Sequence, residues 1–278
     1  MAYQISFVEP AGGKLAHQVM IERVRDLAAA NGWTVLRFDD SGVNHEVILK
    51  GVGLSGLEEI YIGFRTYQNT DADYYNMLVG CFTGYVSTNS FDTQPGAYLS
   101  GVPAHNNRID YWMVCNAQRI ACAMKVGTPV YESFYAGKMF PYGRPSQYPY
   151  PLICGGSLTG AATTRFSENT HNFMLKGGAN ARMGLRTNDS WVNPSVHPYD
   201  NATLCGTTQL RDTNGKYTLM PIEIYSTNGL YGSLDGLFQI SGFNNAVENT
   251  IVIGGVTYVV FQNVWRTGFA DYFAMRME

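Results

Sequence analysis

The chain has 278 residues, room for one large domain or two ordinary ones around a substantial buried core. It is 45% hydrophobic but only 15% charged, where an average soluble protein has about 25%, and 30 Gly, 19 Tyr and 14 Phe fill the gap. That mix argues against a helical bundle and against disorder. A net charge of −3 and a pI of about 6.0 leave no overall electrostatic footprint for nucleic acid or an anionic membrane.

The stretch from Met1 to Pro10 lacks the basic region and apolar run of a signal peptide. Between Lys14 and Asn31, Met20, Ile21, Val24, Leu27 and Ala28 fall at helical spacing, with Glu22 and Arg25 off that stripe. Asn31-Gly32 supplies a left-handed stop. The period then changes to two. Thr34 to Phe38, Glu46 to Lys50 and Glu59 to Arg65 are short branched and aromatic runs, so a helix on a three-strand sheet is expected here.

Ile109, Tyr111, Met113 and Cys115 alternate on one side of Asn116-Ala117-Gln118, and Ile120, Cys122, Met124 and Val126 on the other. This pattern predicts a hairpin with one buried face that holds both cysteines as unreactive thiols. Tyr131 to Pro151 contains five Tyr, two Phe and four of the 11 Pro, which predicts an extended arm crossing the surface. Gly155 to Asn214 is Gly-, Asn- and Thr-rich, as in loops between short strands. Strands return at Tyr217 to Tyr225, Gly236 to Ile240 and Thr250 to Phe261, the last folded at Gly254-Gly255, with a final strand from Ala270 to Met277. The apolar run Ile251 to Phe261 is about half a membrane span. The expected fold is α+β and mostly β: an α+β domain over residues 1–130, an arm over 131–154 and a β-sandwich-like domain over 155–278.

Motifs for chemistry are few. Gly51-Val52-Gly53-Leu54-Ser55-Gly56 matches G-x-G-x-x-G, but the run after it reads as a strand, and two acids stand where phosphate would dock. A glycine-rich β-connection is the expected role. Gly156 to Gly160 lacks the central serine of a nucleophile elbow. His17, His45, His105, His171 and His197 are tied to no nucleophile by a local motif. Asp39-Asp40 and Asp71-x-Asp73 lack a full calcium loop and read as turn or capping residues. Cys81, Cys115, Cys122, Cys154 and Cys205 form no disulfide or zinc framework. No cofactor or metal is implied.

Several stretches taken together resemble virion structural proteins of tailed bacteriophages, of the tail or baseplate. They include Trp33 to Arg37, Glu46 to Gly51, Gly56 to Gly63, Asp110-Tyr111-Trp112, Phe140 to Pro151 and Tyr258 to Val264. The resemblance implies a non-enzymatic subunit made in the host cytoplasm and residing in the virion. Its partners would be other virion proteins and further copies of itself, with no direct nucleic-acid contact and no membrane insertion. Low charge and plentiful Tyr suit such permanent interfaces. Phe140, Tyr142, Tyr148 and Tyr150 of the arm are the expected interface anchors. The alternative is a protein that binds or cleaves carbohydrate on a cell envelope, since a Tyr-rich arm also offers stacking platforms for sugar rings. A cytosolic enzyme with a site assembled from distant residues is a third reading.

Overall fold

The computed structural model describes residues 2–143, 152–169, 171, 174–176, 183–187, 190–201, 204, 217–264 and 268–277. The chain begins with β1 (Ala2–Val8) and the helix α1 (Ala16–Ala30). A meander follows: β2 (Thr34–Asp39), β3 (Glu46–Gly51), β4 (Ile60–Asn69), β5 (Tyr74–Phe82) and β6 (Tyr98–Pro103). Next come β7 (Ile109–Cys115), β8 (Arg119–Lys125), β9 (Tyr131–Lys138), β10 (Phe140–Pro141), β11 (Leu152–Gly155) and β12 (Leu158–Thr159). Then follow β13 (Met183–Arg186), β14 (Trp191–Val192), β15 (Ser195–His197), β16 (Met220–Ser226) and β17 (Gly229–Gln239). The chain finishes with β18 (Thr250–Ile253), β19 (Val256–Gln262) and β20 (Tyr272–Arg276). The fold is mostly β, with the helix α1 near the start and antiparallel ladders between the described strands, as the composition predicts.

Among the described residues, three sheets stack in layers. The first runs β12-β6-β5-β4-β3-β2, the second β1-β7-β8-β9-β11-β13-β14, and the third β15-β16-β17-β20-β19-β18 with β10 also on β17. The second sheet is the middle layer. Its residues Tyr111, Met113, Cys122, Phe134 and Cys154 pack with Val47, Ile62, Phe64 and Val79 of the first sheet. Its opposite face, including Val114, Ala121, Ala123, Tyr135 and Ile153, packs with Ile224, Leu237, Phe261 and Phe273 of the third. α1 lies over β1 and β7 of the middle sheet and also touches β2 to β5 of the first, burying Met20, Ile21, Val24 and Ala28 on the expected stripe. Gly32 then adopts φ +86° and Trp33 N–H returns to the Ala28 carbonyl, which ends the helix where predicted.

Two expectations change. The hairpin at Ile109 to Val126 forms, with β7 and β8 joined at Asn116 to Gln118, but it is buried on both faces rather than one. Ala121 and Ala123, which read as the outer face, are small residues that let the third sheet approach. The predicted arm is not an arm over its first part. Tyr131–Lys138 is a strand of the middle sheet, between β8 and β11, and Leu152–Gly155 extends that sheet. The four prolines that suggested an arm all follow Lys138, so they leave the β9 ladder intact. Strands of the middle sheet therefore come from both sides of the expected boundary at residue 130.

Candidate functional site

Of the four expected anchors, Phe140 and Tyr142 are described, while Tyr148 and Tyr150 lie outside the described residues. Phe140 stands opposite Ser233 in the β10–β17 pair and is 42% exposed. Tyr142 donates its backbone N–H to the Tyr231 carbonyl (3.0 Å) and its hydroxyl to Glu223 Oε1 (2.8 Å). Both residues lie along the third sheet, and Phe140 forms one wall of a cleft.

The cleft exists because the β17 ladder breaks. β10 pairs with Gly232 and Ser233, and β20 pairs with Leu237 to Gln239, so Leu234 to Gly236 have no ladder partner on that side. On the other side, the register with β16 slips between Pro221 and Glu223. Gly236 takes φ +77°, and a Cβ there would meet the Arg119 guanidinium at 2.4 Å. The bulge turns Asp235 toward the middle sheet, as such irregularities re-aim side chains elsewhere. There Asp235 Oδ2 accepts hydrogen bonds from Asn116 Nδ2 (2.6 Å) and Gln118 Nε2 (2.9 Å), with Arg119 Nε at 3.5 Å. The Tyr135 hydroxyl accepts the Asp235 N–H at 3.3 Å. The resulting space of about 360 Å³ has Phe140, Phe238 and Leu54 as apolar walls and Asp235, Asn116 and Arg276 as polar ones. Asp235 is the one carboxylate among its described lining residues, whereas glycoside hydrolysis uses two facing ones.

A second candidate surface was not singled out in the sequence. Among the described residues, β1 is an edge of the middle sheet, paired only with β7. Tyr3, Ile5 and Phe7 all project from one face and are 54%, 53% and 45% exposed, while Ala2, Gln4 and Ser6 are half-buried beneath α1. Arg108 lies over the Phe7 ring at 3.9 Å and bonds Asp110 (2.7 Å). Its signal in the sequence is the strict alternation of Ala-Tyr-Gln-Ile-Ser-Phe-Val.

Buried polar clusters tie the layers together. Glu132 of β9 is fully buried. It accepts the Ser157 hydroxyl at Oε2 (2.5 Å) and holds His171 Nδ1 at Oε1 (2.6 Å). Burial alone would lower the His171 pKa, but the charge and hydrogen bond of Glu132, with the backbone of Glu168 and Phe166, raise it above its ordinary value. The carboxylate stands between the serine and the imidazole, so it clamps both and does not set the histidine to deprotonate the serine. His17 is the opposite case, buried and held neutral down to about 3.

The remaining motifs resolve as connections. Gly51 to Gly56 joins β3 to β4, with Gly53 at φ +67° and Gly56 at φ +74°. Asp39 Oδ1 accepts both the backbone N–H and the hydroxyl of Ser41, Asp40 pairs with Lys14, and Asn69 caps Asp71 and Ala72. Among the described residues, no group of three His, Cys, Asp or Glu side chains converges as a metal site. No helix of the described residues is long and apolar enough to cross a membrane. No family model and no curated protein matches the chain.

Proposed function

We propose that the protein is a structural subunit of a tailed-phage virion, of the tail or baseplate, that acts by assembly with copies of itself and with other virion proteins. The observation that supports this most is the open β1 edge with its row of Tyr3, Ile5 and Phe7. Proteins ordinarily blunt sheet edges, and the other edges among the described strands follow that practice. β12 and β14 have two residues, β15 three and β18 four, while β2 carries a register shift and the charged Arg37 and Asp39. β1 has seven residues with no charge, proline or bulge. A strand left open in this way suits a chain whose edge is covered in its working state. Low overall charge and abundant Tyr support the same reading. The test is mass spectrometry of purified particles together with the oligomeric state of the isolated chain. A stable monomer absent from particles contradicts the proposal.

The Phe140–Asp235 cleft favours a second reading, recognition of an envelope saccharide. Its volume suits one or two sugar rings, with aromatic faces for C–H stacking and an amide, carboxylate and guanidinium for hydroxyls. Under this reading, Phe140→Ala abolishes glycan binding and leaves assembly unchanged.

A further inference from the structure

We propose that β1 pairs with β1 of a second copy, antiparallel about a two-fold axis through Ile5, and so joins two middle sheets into one continuous sheet. The inference rests on the assembly reading above and names the partner of the open edge.

The strand is self-complementary. With Ile5 opposite Ile5 of the second copy, Tyr3 faces Phe7, Phe7 faces Tyr3, and Gln4 faces Ser6. The large residues of one face thus meet large residues, with an aliphatic pair at the centre and an aromatic pair on each side, the combinations that stabilise cross-strand contacts. On the half-buried face Gln4 meets Ser6, and Ala2 meets Val8. A two-fold operator requires this mirror order, because each residue must suit both its own position and its partner's. An arbitrary partner strand does not require it.

The backbone and charges also fit. In an antiparallel edge strand, alternate residues aim N–H and C=O away from their neighbour. Among the described backbone hydrogen bonds, none reaches residues 2–8 except those of the β1–β7 ladder. The register through Ile5 closes whichever alternate set faces outward, since an odd residue then meets an odd one and an even residue an even one. No charge lies within the strand, so self-pairing brings no like charges together. Arg108 sits at the Phe7 end, and the two-fold places the two Phe7 positions four residues apart, about 13 Å along the strand. That spacing exceeds the Debye length of about 8 Å at physiological ionic strength. Three half-exposed side chains supply only part of the ~800 Å² per partner that a stable dimer buries. The isolated pair is therefore concentration-dependent, and other contacts of an assembly make it permanent.

The full chain is examined by sedimentation across a wide concentration range, and by cross-linking an Ile5→Cys variant with a short bismaleimide. The expected result is reversible dimerisation and a cross-link mapped by mass spectrometry to residue 5 of both copies. Wild-type chain serves as the control for the native thiols. Ile5→Lys places two ammonium groups opposite each other and is expected to weaken dimerisation at least tenfold, whereas Ile5→Val retains it. Ile5 is half exposed, so the lysine leaves the thermal unfolding midpoint near that of wild type. Dimers that survive Ile5→Lys, or a cross-link from position 5 to any other residue, overturn the two-fold pairing and leave the assembly reading standing. A monomer that is nonetheless recovered in particles does the same. A monomer absent from particles overturns both.

Discussion

Acid is expected to destabilise the protein through one imidazole. His17 lies in the first turn of α1, fully buried and edge-on to Tyr75 with ring centroids 5.6 Å apart. Burial is the main cause that holds its pKa down to about 3; the nearby His45 and His105 add to it and Gln68 opposes it. In the unfolded chain the ring titrates near 6.5. Between those values the unfolded state binds a proton that the folded state excludes. The folded pKa is the depressed one, so stability is full above 6.5, falls as pH drops below it, and stops falling below about 3. At about 1.4 kcal/mol per pH unit, the ring costs roughly 2 kcal/mol at about pH 5 relative to about pH 7.5. The assay is urea unfolding, followed by tryptophan fluorescence, of wild type and His17→Leu at both pH values. Leucine fills the site without titrating, so the variant should lose about 2 kcal/mol less than wild type on acidification. Equal losses in the two proteins would refute the reasoning, because they would mean that His17 accepts a proton in the folded state.

Two further outcomes follow from the layer packing. Asp235→Ala removes the carboxylate that lies beside the fully buried Arg119 guanidinium and also accepts from Asn116 and Gln118, and should cost about 3 kcal/mol in urea unfolding; a cost below about 1 kcal/mol would contradict that buried cluster. Cys81, Cys115, Cys122 and Cys154 are buried; burial pushes Cys115 up to about 12 and Cys122 and Cys154 well above the ordinary thiol range. These four should stay silent to an aromatic disulfide reagent until the chain is denatured, and rapid reaction of any of them in the native protein would show that the layers are packed otherwise.

Local features of the fold were legible in the sequence because short-range chemistry decides them. The α1 stripe, its Asn31-Gly32 stop and the Gly254-Gly255 turn between Ile253 and Val256 all depend on residues within one or two turns of each other. Layering was not legible, since it depends on pairings between distant segments. Ala121 and Ala123 carry no strong preference, and they are buried against a third sheet formed mostly by residues from Met220 onward. The cleft was hidden for the same reason. Asp235 meets Asn116 across more than a hundred residues, and it does so because β17 slips register, which no local motif announces. Phe140 was identified from composition, but as part of an arm rather than as a wall beside Asp235. The β1 row was legible in its period-two pattern. Its exposure was not, because the same pattern serves a strand with that face buried.

Hydrogen exchange over residues 2–8, compared between dilute chain and assembled material, tests the account most directly. An edge that pairs in the working state has outward amides that exchange freely when dilute and become protected on assembly, while the amides bonded to β7 are protected in both. The account predicts that split, with protection growing in step with oligomer mass. Assembled material in which the outward β1 amides exchange as fast as in the dilute chain would contradict it.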